Sequence, residues 1–434
     1  VRIGTVTVIG ANGTMGCGVA GIFASFGDAK VYMIAREIEK AAMAKEKAAL
    51  SVKAQAIEYN LIPRTYDDLA ECVSKSDLVF ESVAEDEDLK KEIYSQLSKH
   101  LKPHVIFGTG TSGLSINELS AVLDDTAKRR FMGIHFFNPP YRMTLCEVIP
   151  SRYTDPSVLE GVKAYLRSVL HRDVVQVKDE PAFLANRIGF QFINEALQQA
   201  ERHKDKGGID YIDSIMGPFT GRSMAPLVTS DFVGLDVHKA IVDNIYNNTH
   251  DFAHHTFDMP RFALDLVSKG HIGRKAGSGL YKRIVNDDGS RIVYVYDIAT
   301  GTYRPIYEYS FRFAEAMKAR LRVGDYEGAF EQLLSDDSRE ANICVESLIK
   351  YAIYGVAMGK AIGEDVNSAD AVMATGFNWV PPLALIDAFG GVDIFREIAL
   401  ERLPKGFFEM VDVEGILSDI PSSRYDFRPF FKAR

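Results

Sequence analysis

A strand-like run from Thr5 to Gly10 breaks directly into Gly-Ala-Asn-Gly-Thr-Met-Gly, after which apolar residues recur at helical spacing from Gly13 to Phe26. A strand-to-helix turn whose backbone N–H groups close on a phosphate needs positions without a Cβ, and the positive end of the helix then favours the anion. Gly10, Gly13 and Gly16 hold those positions, with Asn12 and Met15 between them. The pattern is GxxGxxG, one residue longer than the common GxGxxG, and a glycine triplet alone is equally compatible with a plain tight turn. Its place at the head of a strand–helix alternation favours dinucleotide binding.

That alternation continues with strand patterns at Lys30 to Ile34, Leu78 to Ser82, Val105 to Gly108 and Phe131 to Phe137. Helical patterns at Arg36 to Tyr59, Asp86 to Leu101 and Ile116 to Leu123 separate them. Such an order predicts a parallel sheet with crossover helices, a doubly wound α/β domain. A helix at Pro156 to Leu170 and a strand at Val174 to Val177 complete it, and Asp179, Glu180 and Pro181 break the pattern, so the first domain is read as 1–181. Residues 182–283 read as all-α, closing in a Gly-rich stretch from Lys269 to Tyr281. Residues 284–311 read as a small β insertion, with a strand at Ile292 to Asp297 between turn chemistry at Asp287, Asp288 and Gly289 and a turn at Ala299 to Tyr303. Helical spacing resumes in 312–434. There, ANICVESLIKYAIYGV from Ala341 lies over ANRIGFQFINEALQQA from Ala185, and ADAVMATGFNWVPPLALIDAFGGVD lies over IDSIMGPFTGRSMAPLVTSDFVGLD. Shared features in one order predict a duplication, hence two similar all-α domains.

Composition narrows the function. A chain of 434 residues is long enough for three domains. Its net charge of -9 argues against a general nucleic-acid binder or an anionic-membrane binder. No run approaches the ~18 apolar residues of a membrane span. Cys17, Cys72, Cys146 and Cys344 form no CxxC pair, so neither a metal site nor a disulfide framework is expected, and a cytoplasmic setting fits best.

Three places carry candidate chemistry. Where an NAD site usually has an acid at the end of the second strand, this chain has Ala35 and Arg36. Arg36 suits the 2'-phosphate of NADP, Glu37 is a candidate displaced acid, and both also suit the exposed first turn of a helix. At the end of an apolar strand stands His135, in HFFNPP, followed by LCEVI with Glu147. A histidine there serves as a general base near neutral pH, and a carboxylate on its other nitrogen fixes the tautomer. A lone histidine is more often structural, and the carboxylate together with the Asn138-Pro139 turn shifts that balance. Upstream, GTGTSGLSINEL puts Ser112 at another strand end as a donor to a substrate oxygen, while Ser115 with Glu118 matches a capping box.

Together these segments resemble the L-3-hydroxyacyl-CoA dehydrogenase family. The resemblance rests on the Gly-rich turn, ESVAEDEDLKKEI, GTSGLSI, GIHFFNPPYRMTLCEVIP, KDEPAFLANRIG and GRKAGSGLY, and spans Thr5 to about Tyr281. It implies a Rossmann-type first domain, an acyl-CoA substrate, and NAD as cofactor, with NADP left open by Ala35 and Arg36. It further implies His135 as base, Glu147 as its orienting carboxylate, and Ser112 and Asn186 at the substrate oxygen and thioester. Glu85, Lys90, Asn138 and Lys275 fall on the cofactor side. The remainder resembles the second helical domain of fused fatty-acid oxidation proteins without their hydratase module, which implies a stand-alone enzyme, monomer or homodimer, with a separate enoyl-CoA hydratase as a potential partner. The rivals are a dehydrogenase of a free 3-hydroxy acid and a non-catalytic nucleotide-binding scaffold.

Overall fold

The structure is a computed structural model that describes residues 2–286 and 289–433. The turn expected at Asp287 and Asp288 therefore lies outside the described residues. The chain forms two compact units: Val1–Phe183 with Ile362–Glu364, and Leu184–Ala361 with Asp365–Arg434.

The first unit is built on an eight-stranded sheet of order β3-β2-β1-β4-β5-β6-β7-β8. Its strands are β1 (Thr5–Ile9), β2 (Lys30–Ala35), β3 (Leu61–Thr65), β4 (Leu78–Glu81), β5 (Ile106–Thr109), β6 (Phe131–Phe136), β7 (Leu145–Pro150) and β8 (Asp173–Gln176). The first six run parallel; β7 turns back antiparallel to β6, and β8 follows β7. Helices cover the sheet, so Val6, Thr7 and Val8 are all fully buried, as a strand sandwiched on both faces requires. This is the doubly wound α/β fold.

Two expectations need correction here. The helix read from Arg36 to Tyr59 is in fact a helix Ile38–Ser51 followed by a 3-10 turn Gln55–Tyr59. Lys53 between them takes a left-handed φ of 54°. Strand β3 then follows, which the apolar pattern does not announce because Pro63 and Arg64 interrupt it. The fold tolerates that proline because β3 is an edge strand. The helix expected to reach Leu123 stops at Ser120.

In the second unit, helices Ala185–Arg202 and Arg339–Ile362 are the long members. A three-stranded antiparallel sheet joins the two helical stretches: β9 (Tyr281–Val285), β10 (Arg291–Asp297) and β11 (Thr302–Pro305). Thr302 and Tyr303 thus belong to a strand and not to the expected turn. One arrangement occurs twice. Asp213 accepts hydrogen bonds from Leu227 N (2.8 Å) and Val228 N (3.0 Å) at the start of helix Pro226–Val233. Asp370 accepts one from Leu383 N (2.8 Å) at the start of helix Pro382–Ala388. Burial pushes both carboxyls up to about 7. Between the stretches sits Arg222, fully buried, its guanidinium 3.7 Å from the Phe192 ring centroid, 4.9 Å from Trp379 and 5.0 Å from Tyr351. Its Nη1 donates to Thr220 O, whereas Nε and Nη2 have no hydrogen-bond partner among the described residues. The aromatic faces hold the cation instead. Among the described residues no helix is long and apolar enough to cross a membrane.

A buried imidazole makes this unit sensitive to acid. Asn194 gives its amide nitrogen to Thr256 O and Asp258 O, which turns its Oδ1 towards His238 Nε2 at 3.0 Å; Ser230 Oγ lies 2.8 Å from Nδ1. Nε2 therefore carries the proton and Ser230 donates to Nδ1. Burial pushes His238 down to about 3, whereas an unfolded histidine titrates near 6.5. Between these values the unfolded chain binds more protons, so stability is intact above about 6.5 and falls as pH drops towards 3. In His238→Gln that dependence is removed. The stability difference between wild type and variant should change by up to about 1.4 kcal/mol per pH unit across the window. Parallel curves in urea melts at stepped pH would exclude His238 as the source.

Candidate active site

The carboxyl edge of the sheet gathers the predicted residues of the first unit. At its centre the turn after β1 has the geometry that a phosphate cradle needs. Gly10 takes a φ of +75°, and a Cβ there would lie 2.5 Å from Ser82 O; a Cβ on Gly16 would lie 2.4 Å from Gly10 O. Gly13 is the N-cap of helix Thr14–Ser25, brings no side chain to the first N–H groups, and no acid stands in the first turn. The positive helix end is thus open to an anion, which fits the pyrophosphate half of a dinucleotide. A cavity of about 280 Å³ beside it is lined by Gly10, Asn12, Gly13, Arg36, Lys40 and Tyr66, among others. Met15 packs on the apolar core instead. Because the obstacle at Gly10 is backbone, Gly10→Ala is expected to destabilise the protein by about 1–3 kcal/mol. A melting temperature equal to that of wild type would contradict this.

Next to the cradle runs a chain of ionic hydrogen bonds that starts in the sheet. Glu81, at the end of β4, is 0% exposed and receives Lys90 Nζ (2.7 Å), Val83 N (2.6 Å), Thr109 Oγ1 (2.9 Å) and the Tyr94 hydroxyl. Burial and Glu81 itself push the Tyr94 phenol well above its usual range, so it remains a donor. Lys90 is 1% exposed and lies 3.5 Å from Glu85. Glu85 in turn accepts Thr111 Oγ1 (2.6 Å) and Ser112 N (2.8 Å). Lys90 thus occupies the interior, and it anchors the carboxylate that holds the Ser112 loop. Ser115 caps helix Ile116–Ser120, and Asp179 binds Ser115 Oγ, Ile116 N and Asn117 N from the other side.

The histidine and the carboxylate face each other across the antiparallel pairing of β6 with β7. His135 of β6 is in register with Glu147 of β7, and Nδ1 lies 2.8 Å from Glu147 Oε2. His135 is 4% and Glu147 0% exposed. The Phe137 and Phe183 rings flank the imidazole, with centroids 4.5 and 5.7 Å away. A carboxylate accepting from Nδ1–H leaves Nε2 with its lone pair as the proton acceptor. Phe183 and Ala182 before it both take left-handed φ, 55° and 60°. Asn138, two residues after β6, is exposed.

Asn186 and Lys275 belong to the second unit. Asn186 is buried in helix Ala185–Arg202, and Lys275 pairs with Asp236 at 2.7 Å. Sequence reasoning gave no role to Glu81, Thr109, Thr111 or Phe183, although all four lie in segments it singled out, and it missed Tyr94; for the Glu81 network the available signal was an acid at the end of an apolar strand. Among the described residues no group of three His, Cys, Asp or Glu side chains is arranged to hold a metal ion.

Residues 5–180 match the family model described as 3-hydroxyacyl-CoA dehydrogenase, NAD binding domain, and residues 183–283 match the one described as its C-terminal domain. A Bacillus subtilis protein named probable 3-hydroxyacyl-CoA dehydrogenase is 32% identical over 350 residues, 80% of this chain and 43% of that protein. The chain thus spans less than half of that relative. A 3-hydroxybutyryl-CoA dehydrogenase of Bradyrhizobium diazoefficiens is 33% identical over 288 residues, 64% of this chain and 94% of its own length. Among solved structures, 3-hydroxybutyryl-CoA dehydrogenase of Escherichia coli K12 covers 94% of this chain and 96% of its own, with a TM-score of 0.69. At 21% identity, that likeness is one of fold.

Proposed function

The chain belongs to the 3-hydroxyacyl-CoA dehydrogenase family, and from that premise we propose that it oxidises an L-3-hydroxyacyl-CoA reversibly to the 3-ketoacyl-CoA, with His135 as general base. Members of the family are oxidoreductases, and their first domain binds NAD. The observation that carries the proposal is the register of β6 and β7, which sets the Glu147 carboxylate 2.8 Å from His135 Nδ1. Glu147 holds the Nδ1–H tautomer, so Nε2 takes the proton of the 3-hydroxyl group, and the imidazolium that forms faces a buried carboxylate. Phe137 and Phe183 keep water from the ring, which strengthens that ion pair. Ser112, on a loop fixed by Glu85, donates to the substrate oxygen. When bound, an NAD cofactor would supply the acceptor for the hydride that leaves C3. Gly10, Gly13 and Gly16 would hold its pyrophosphate, and Glu85, Asn138 and Lys275 belong to the same proposed set. Asn186 is a proposed substrate residue on the family resemblance.

For residues 312–434 we propose a structural duplicate of 182–283, linked to it through the β insertion. The repeated Asp213 and Asp370 caps and the shared Arg222 cage support that reading.

The test is an assay of acetoacetyl-CoA against free acetoacetate, with NADH and NADPH in parallel. Turnover of the thioester alone is the expected result. Turnover of the free acid alone would assign the chain to the rival substrate class, and cofactor binding without any turnover would favour a scaffold.

A further inference from the structure

The adenosine end of the dinucleotide cavity departs from an ordinary NAD site in a way that the fold makes specific. Strand β2 ends at Ala35, whose side chain is 1% exposed, at the point from which an acid would reach the ribose hydroxyls. Two cations follow, Arg36 just ahead of the next helix (Ile38–Ser51) and Lys40 in its first turn, and both line the cavity with Gly10, Gly13 and Tyr66. Glu37, the acid that stands closest in sequence, does not line it; its carboxylate sits on Lys40 Nζ at 2.7 Å. Burial raises the Tyr66 phenol, and the Arg36 charge opposes that rise.

Resting on the dehydrogenase reading, we propose that this end accepts the 2'-phosphate of NADP as well as the free ribose of NAD, with Arg36 and Lys40 as the phosphate ligands. The physical case has two parts. A carboxylate at position 35 would repel a 2'-phosphate, and Ala35 removes that repulsion together with the hydrogen-bond acceptor that favours NAD. Arg36 then offers a planar fork that matches phosphate oxygens in pairs, and Lys40 adds a second charge. The 2'-phosphate also competes with Glu37 for Lys40, which leaves Arg36 as the stronger ligand.

Calorimetric titration of the full chain with NADH and with NADPH, without substrate, tests this directly. NADPH is expected to bind at least as tightly as NADH, and its affinity to fall more steeply with salt, since only it adds a charged contact. Arg36→Ala should weaken NADPH by about tenfold or more, the worth of one charge-assisted hydrogen bond, and so lower its affinity relative to NADH. Ala35→Asp should shift the ratio further the same way by improving NADH. The proposal is overturned if wild type binds NADPH about 100-fold or more weakly than NADH, or if Arg36→Ala weakens both equally. Circular dichroism of each variant separates a lost contact from a lost fold, and Lys40→Ala provides an independent second variant. If neither dinucleotide binds, the dehydrogenase reading fails with it. Binding as expected without turnover of any thioester would leave the specificity intact and defeat the reaction alone.

Discussion

Replacing His135 by glutamine is expected to lower kcat with a 3-hydroxyacyl-CoA by about three orders of magnitude, inside the 10²–10⁴ range that a positioned base supplies. Glutamine keeps a polar side chain of similar reach between Phe137 and Phe183 but has no nitrogen that takes up a proton near neutrality. Dinucleotide affinity should stay within about twofold of wild type, because the proton acceptor is not a phosphate or ribose ligand. Glu147→Gln makes a sharper comparison. Its amide donates to Nδ1 where the carboxylate accepted, so the ring proton moves to Nε2 and the base is lost without a change of shape. Both variants should fail in the same step, with kcat reduced and KM little changed. A His135→Gln enzyme that retained more than a tenth of wild-type kcat in stopped-flow measurements would remove the residue from the mechanism.

The largest stability effect should come from Lys90→Met. Methionine replaces the stem of the lysine and leaves the Glu81 carboxylate, 0% exposed, without a counter-charge. Stranding a buried charge in this way costs about 3–5 kcal/mol. Neutralising both partners, in Lys90→Met with Glu81→Gln, should recover a large part of that loss, because the glutamine oxygen can accept from Val83 N in place of Oε1 while its amide donates to the Tyr94 and Thr109 hydroxyls, which faced Oε2. Thermal unfolding of wild type, single and double variants decides it. A double variant no better than the single one would place the loss in packing and not in charge. The single variant should also lose Ser112 function, since Glu85 is held in part by the same ammonium.

The sequence announces the sheet because its strands are short apolar runs, buried on both faces, at even spacing. It announces His135 and Glu147 for a related reason: one is the single imidazole and the other the single carboxylate in an apolar strand, and adjacent strands of that kind pair. Edge strand β3 is hidden because an edge needs neither alternation nor freedom from proline. The Glu81 network is hidden because an acid at a strand end looks like ordinary solvent exposure until the helix carrying Lys90 and Tyr94 is laid over it. Arg222 is hidden more deeply. Its three aromatic partners lie at positions 192, 351 and 379, so nothing near it in the sequence forecasts burial.

That cage bears on how the two helical stretches are inherited. Arg222 and Phe192 belong to residues 182–283, and Tyr351 and Trp379 to residues 312–434. A lineage that deleted 312–434 would strip a fully buried cation of two aromatic faces, and would have to replace Arg222 and Phe192 in the same stroke. Intermediate genotypes along that route would fold poorly. The second stretch is therefore retained by the residues it shields, whether or not it carries chemistry of its own, and drift within it should be slowest at Tyr351 and Trp379.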